Sequence, residues 1–444
     1  MCSEDMKGKM SQGRTEGIGF VDLFSGCGGL TEGIMASGGF DALAHMEWEL
    51  PMVETLRHRL VQAWGHDVEE ARERVVHFDI QRVGELLHGE WGMESEAEYG
   101  RTNASAVKES GLVGLVGERP VEVVVGGPPC QAYSIAGRAQ DPNSMQDDYR
   151  NYLFESFLGV VEELKPKLFV FENVAGMLSA KPGGVPITER VHKAFAGVGY
   201  QVLPPHLMKR ALYNTAEFGV PQARRRVIII GVRSDGPIDL ERCYELLDAQ
   251  KMEGSPKTVQ DAIGGLPAIL PLKFHEREGN RNVSHRSVES EVPDGHEPRY
   301  HNKRDQGIFR GWVEQGMNAW STRRKLEFYT EMTGRESNHA KYRSLEWDKP
   351  SPTVVAHLKK DGLMFIHPDP EQARSITVRE AALLQSFPED YAFLGNQATC
   401  YKMIGNAVPP GFSKAIGNAV RQAIVESRRV SGKEEIQTKI VTTA

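Results

Sequence analysis

The sequence predicts an α/β protein: a doubly wound, mostly parallel sheet followed by a second, smaller domain of irregular architecture. Three observations predict it. Apolar runs of strand length alternate with helical patterns from residue 18 to 233, the beat of a sheet wound with crossover helices. That beat stops after Val232. From 234 to 375 the chain is rich in Pro, Gly, His and Arg, with Phe309, Trp312, Trp320, Tyr329, Tyr342 and Trp347 scattered among them. The 444 residues suffice for two domains with a sizeable core, and 40% hydrophobic with 25% charged residues excludes disordered and fibrous classes.

Residues 1–16 are polar, lack a secretory apolar stretch, and are expected to be a disordered tail. Residues 17–233 form the first domain. Its strands are expected at 18–24, 42–48, 75–80, 121–125, 168–174 and 227–232, short runs dominated by residues that suit a sheet buried on both faces. Helices are expected at 30–37, 52–63 and 149–164. Residues 90–111, with their glutamates, Gly100, Asn103 and Ser105, read as an exposed insertion. The second domain covers 234–375. A helical pattern resumes at 377–385, inside a segment 376–429 whose last helix, 411–428, is expected to return to the first domain. Residues 430–444 read as another disordered tail.

No apolar run reaches the roughly 20 residues that span a bilayer, so no membrane association is expected and the protein is read as cytoplasmic. Cys2, Cys27, Cys130, Cys243 and Cys400 are widely spread and form no CxxC pair, which supports neither a metal site nor a disulfide framework. The net charge of −7 speaks against a polyanionic partner, but it is unevenly spread. Residues 1–120 carry 11 basic against 21 acidic side chains, whereas residues 273–360 carry 17 against 13. A mildly basic segment of this kind fits either a solvated surface or a nucleic-acid contact.

The chemistry concentrates at the expected strand ends, the edge where ligands bind in an open α/β sheet. Gly126-Gly127-Pro128-Pro129-Cys130-Gln131 follows the run 121–125. The prolines restrict the backbone and aim Cys130 in one direction, while the flanking turn residues and polar Gln131 and Ser134 argue against a core cysteine. Cys130 is thus placed to be a nucleophile. The first strand runs into Ser25-Gly26-Cys27-Gly28-Gly29-Leu30, a glycine turn at a helix amino-terminus where a ligand can approach the backbone. Thr31 stands where a dinucleotide GxGxxG motif has its third glycine, which argues against a nicotinamide oxidoreductase. Glu47 ends the next strand, placed to accept from ribose hydroxyls, with Trp48 to pack on an adenine face and Asp79 to receive an adenine amino group. Helix capping explains these acids equally well. Glu172 ends another apolar run, where a carboxylate is costly to bury without a partner or a task. In Gln222-Ala223-Arg224-Arg225-Arg226, alternate Arg224 and Arg226 face one way and can converge on an anionic or carbonyl-rich site, whereas Arg225 reads as solvated.

Six blocks occur in order: Phe24-Ser25-Gly26-Cys27-Gly28-Gly29, Pro128-Pro129-Cys130-Gln131, Glu172-Asn173-Val174, Gln222-x-Arg224-x-Arg226, Arg374-x-x-Thr377-x-Arg379-Glu380 with Leu384-Gln385-Ser386-Phe387-Pro388, and Gly405-Asn406-Ala407-Val408-Pro409-Pro410. Together they resemble the motifs of bacterial DNA (cytosine-5)-methyltransferases. The resemblance covers nearly the whole chain outside the tails, residues 90–111 and a variable stretch of 234–345.

The resemblance implies a Rossmann-like methyltransferase sheet (17–233), a target-recognition domain (234–375), and an S-adenosylmethionine-dependent enzyme that methylates carbon 5 of a flipped-out cytosine in a specific duplex DNA sequence. It makes the Cys130 thiolate the attacker of C6, with Glu172 holding the amino edge and sharing a proton at N3. The Pro128 carbonyl and Arg226 would hold the base, and Arg224 would orient the pocket. Phe24, Gly26, Gly28, Gly29 and Leu30 would cradle methionine and ribose. Glu47 would bind the ribose, and Trp48, Asp79 and Ile80 would surround the adenine, with Leu153, Asn406 and Val408 completing the pocket. The base that removes the C5 proton stays unnamed, and no metal is implied. A monomer on double-stranded DNA is expected, nucleoid-associated, with a restriction or defence-system partner as its setting.

Two rivals remain. A transfer-RNA cytosine-5 methyltransferase would have a short target region, against more than a hundred irregular residues here. A catalytically silent DNA-binding relative would have lost Cys130 or Glu172. The stretch 342–353 also looks motif-like, either a target-domain strand packed on the first domain or core structure.

Overall fold

The apolar runs become the centre of one sheet. In the computed structural model, residues 17–128 and 153–442 are described, with side chains through Arg429. The strands are β1 (Ile18–Leu23), β2 (Phe40–Glu47), β3 (Val75–His77), β4 (Val123–Gly126), β5 (Leu168–Val174), β6 (Tyr200–Gln201), β7 (Leu212–Asn214), β8 (Gln222–Ala223) and β9 (Arg225–Arg233). All but β8 join one sheet in the order β3-β2-β1-β4-β5-β9-β6, with β7 also against β9. The first five strands run parallel, and β9 runs antiparallel to β5. The order reverses between β1 and β4, a switch point that opens a crevice at the carboxyl ends of these strands.

Helices Gly29–Ser37, Leu50–Trp64 and Leu153–Leu164 stand where helical patterns were expected, residues 149–152 lying outside the described residues. The rings of Phe169 and Phe195 stack at 4.2 Å and Phe157 meets Phe171 edge-on at 5.2 Å, which binds helices to the buried face of β5.

Residues 90–111 are not a bare insertion. They enter helices Met93–Tyr99 and Ser105–Val116, Trp91 stacks on Phe78 at 4.5 Å, and Val107 and Leu112 are buried. The Asn103 side chain accepts from the His77 N–H (2.9 Å) and donates to its carbonyl (2.8 Å), which satisfies the free edge of β3. The glutamates mark only the solvated face of these helices.

Three further departures concern the domain borders. Helix Leu240–Asp248 falls inside the segment 234–375 assigned to the second domain, yet Cys243, Tyr244, Leu246 and Leu247 belong to the first core. The loss of strand–helix rhythm marks the end of the sheet and not the end of its core. The remainder of that segment is less irregular than expected. It holds a hairpin (β10, Ile269–Glu278; β11, Arg281–Ser287) and helices Lys303–Glu314 and Thr322–Thr333, around a small core of Ile308, Phe309, Trp312, Met317, Tyr342 and Ile366. The last helix, Pro410–Thr442, returns Phe412, Ile416, Val420 and Ile424 to the first core and runs through residues 430–442, expected above to be disordered. Good helix formers such as Lys433, Glu434, Glu435 and Gln437 extend a helix once it is nucleated.

The 342–353 stretch plays both parts considered for it. Tyr342 and Leu345 are core residues, while β12 (Ser351–Pro352) pairs in parallel with β8. Below it, Arg374 and Glu380 form a bidentate pair with both contacts at 2.7 Å and each side chain 1% exposed. Glu380 also completes a capping box with Thr377, so one carboxylate both starts helix Val378–Leu384 and neutralises a buried guanidinium.

Candidate active site

The crevice predicted by the strand order holds a cavity of about 450 Å³, within the range of roughly 300–1,000 Å³ typical of small-molecule sites. Its floor begins where β1 ends. Gly28 caps helix Gly29–Ser37 in the left-handed region, φ 90°. A Cβ on Gly29 would lie 2.3 Å from the Val408 carbonyl, so only glycine lets the carboxyl-terminal segment close over the turn.

Glu47 leaves β2 into this cavity. Its carboxylate accepts from the backbone N–H of Gly26 (2.8 Å), Trp48 (2.9 Å) and Glu49 (2.9 Å), which ties the β2 turn to the glycine turn. Burial pushes its carboxyl up to about 7 against the pull of these donors. Trp48 remains 52% exposed, a flat apolar face open to a ligand. Asp79 accepts from the Gln81 N–H (3.0 Å) in a tight turn beside Ile80.

The antiparallel entry of β9 supplies the other groups. Its register sets Arg226 opposite Val174, so Arg226 and Glu172 are diagonal neighbours on one face. Arg226 Nε lies 2.7 Å from Glu172 Oε1. A Cβ on Gly127 would approach Glu172 Oε2 to 2.9 Å, so the glycine after β4 makes room for this carboxylate.

Of the residues assigned from sequence, Phe24, Gly26, Gly29, Leu30, Glu47, Trp48, Asp79, Ile80, Leu153, Asn406 and Val408 line the cavity, together with Pro128, Glu172, Arg224 and Arg226. Gly28 does not; a Cβ there would strike Leu56 at 2.6 Å, so its part is to shape the turn. Cys130 lies outside the described residues. Arg224 is buried and donates to the carbonyls of Val354 (2.8 Å) and Gly405 (3.1 Å), so it holds chain segments together at the cavity wall. Arg225 is exposed, as its position in the arginine block suggested.

Among the lining residues, Glu49 and Lys402 carry no signal in the sequence, and Gly127 and Gly405 stand in motif blocks without an assigned site role. Asp22, next to last in the apolar β1 and not itself a lining residue, was also given no role. It is fully buried, accepts from Thr31 Oγ1 at 2.7 Å on one oxygen, and has no hydrogen-bond partner among the described residues for the other. Burial raises its carboxyl to about 7. The residues present fit an adenosine-bearing ligand, since Gly26 leaves open space toward Met52 Sδ 4.0 Å away and Glu47 and Trp48 offer a carboxylate and a free ring beside it.

Residues 107–422 match the family described as C-5 cytosine-specific DNA methylase. The chain is 33% identical to the type II methyltransferase M.Bpa9945I of Bacillus paralicheniformis, covering 91% of this chain and 98% of that protein. It is 31% identical to the type II methyltransferase M1.HphI of Haemophilus parahaemolyticus, over 90% of this chain and 86% of that protein. Among solved structures, a DNA modification methyltransferase encoded within an E. coli prophage shares the fold with a TM-score of 0.58 and 22% identity, over 92% of this chain and 99% of that one.

Proposed function

The chain belongs to the C-5 cytosine-specific DNA methylase family, and on that premise we propose that Cys130, Glu172 and Arg226 carry the reaction, with S-adenosylmethionine held in the cavity described above. The protein is a DNA cytosine-5 methyltransferase acting on a specific DNA sequence. One observation carries the residue assignment: the glycine turn, Glu47 and Trp48 line the same cavity as Pro128 and the Glu172–Arg226 pair. A methyl donor and a base bound there would be neighbours.

Cytosine C5 is a poor nucleophile, and the chain's own groups change that. The Cys130 sulfur bonds to C6 while Glu172, oriented by Arg226, supplies the proton that N3 gains, which leaves the electron pair at C5. Bound S-adenosylmethionine supplies the electrophilic methyl that C5 receives. A base then takes the C5 proton, the C5–C6 double bond returns as the C6–sulfur bond breaks to free Cys130, and N3 gives its proton back to Glu172. The Pro128 carbonyl and Arg226 hold the ring in place throughout. Gly26, Gly29 and Leu30 would cradle the methionine and ribose, Glu47 the ribose hydroxyls, and Trp48, Asp79 and Ile80 the adenine, with Phe24, Leu153, Asn406 and Val408 enclosing them.

The target base must leave the duplex, at a cost of a few kcal/mol. The second domain, with its hairpin and its basic stretch 273–360, reads the duplex that surrounds it. The protein works as a monomer on double-stranded DNA near the nucleoid, paired with a restriction or defence activity. Among the described residues, no helix is long and apolar enough to cross a membrane.

Expression in a host without cytosine methylation, followed by sequencing for 5-methylcytosine, tests this function. Methylation at one short sequence is expected, and its loss in Cys130→Ser with retained DNA binding. Transfer of labelled methyl only to RNA, or wild-type turnover by Cys130→Ser, contradicts it.

A further inference from the structure

We propose that Glu49 and Lys402 form a strap at the solvent-facing rim of the cavity, positioning its two walls on the cofactor. The inference rests on the cofactor assignment of that cavity made above. Both residues line the cavity, and they pair through Lys402 Nζ and Glu49 Oε2 with side chains 32% and 30% exposed. Neither belongs to a motif block identified in the sequence.

Their places in the chain make the pair more than a surface contact. Glu49 closes the Glu47-Trp48-Glu49 turn, and its own N–H donates to Glu47 Oε1 at 2.9 Å. Lys402 lies one turn before Asn406 on helix Gln397–Asn406, the element that leads Asn406 and Val408 to the opposite wall. The ion pair therefore joins the turn that carries the acid and the aromatic to the helix that closes the pocket. Besides Glu172–Arg226, it is the only ion pair formed between lining residues among the described residues.

Other contacts hold these walls together without the strap. Tyr391 OH donates to the Cys27 carbonyl, the Leu394 N–H donates to Thr55 Oγ1 at 3.1 Å, and Arg59 pairs with Asp390 at 2.9 Å. Loss of the strap should leave the fold intact and loosen only the rim. A part-exposed pair is a weak folding element, so its effect falls on preorganisation of the ligand site.

The test is calorimetric titration of S-adenosylhomocysteine into the full-length protein, with thermal melts as a folding control. Glu49→Gln and Lys402→Gln should each weaken binding by a similar factor, about threefold to fivefold. Lys402→Arg and the charge-exchanged double variant, Glu49→Lys with Lys402→Glu, should recover most of it. Added salt should erode wild-type affinity more than that of the Gln variants. Loss in Lys402→Gln without loss in Glu49→Gln, failure of the exchange to rescue, or unchanged affinity in both single variants overturns the strap. Absence of binding by the wild type instead overturns the cofactor assignment on which it rests.

Discussion

Arg226 Nε sits 2.7 Å from Glu172 Oε1, with the two side chains 13% and 10% exposed. The pair exists because β9 enters the sheet antiparallel to β5, so the first residues of β9 meet the last of β5. A charge-assisted contact of this kind fixes the carboxyl's orientation and leaves its second oxygen toward Gly127.

Glu172→Gln should therefore lower methyl transfer by about 100-fold or more, because the amide keeps the shape and loses the transferable proton. Arg226→Ala should lose activity as well, with Glu172 left without its orienting partner. Single-turnover assays with labelled cofactor check both. Near wild-type rates in Glu172→Gln would remove this residue from the chemistry.

Gly405→Ala should destabilise the protein by about 1–3 kcal/mol, since overpacking forces backbone to move. The added methyl would lie 2.2 Å from the Ala356 nitrogen. The same shift disturbs the carbonyl that receives Arg224, so weaker cofactor binding should accompany a lower melting midpoint. An unchanged midpoint would show that the 351–359 segment yields freely.

Glu380→Ala leaves Arg374 charged and buried without its partner, a loss of about 3–5 kcal/mol for such pairs. Glu380→Gln should cost less, because its amide can still serve the capping box with Thr377. Denaturant unfolding of the two variants gives the comparison, and equal losses would deny the cap any share.

Stability should rise as pH increases from 4 to 6.5. Burial lowers His45, His301 and His367 to about 3 and His285 to about 4, so the unfolded chain takes up protons that the folded one refuses. Each contributes stability that is present above its ordinary value of 6.5 and lost as pH falls toward its folded value. Asp22 and Glu47, raised to about 7, act in the opposite sense, stabilising below their ordinary values and losing that as pH rises through 7. Asp22→Asn should consequently steepen the rise. Melting midpoints across this range decide it, and a flat profile would mean that the histidines protonate in the folded state.

Much of the site was legible before any fold was known. Glu47 ends β2, Glu172 stands two residues before the end of β5 and the glycine turn follows β1, and a polar group following an apolar run is visible in the chain itself. Residues 90–111 read as an exposed insertion because their glutamates outnumber the buried Tyr99 and Val107, and a helix with one wet face looks polar throughout. Asp22 was overlooked inside β1 for the converse reason, its neighbours being apolar.

By itself the sequence placed the buried strands and the groups near their ends to within a few residues, β3 stopping at His77 and not at the expected Ile80, since burial on both faces writes a continuous apolar run and the exit from it lies next in the chain. The direction of β9 was decided only by tertiary structure. Its apolar run reads the same in either orientation, yet only the antiparallel one brings Arg226 to the carboxyl edge of β5. The meeting of Glu49 with Lys402 was likewise invisible, because residues so far apart in sequence become neighbours through the packing of helices and not through any local pattern.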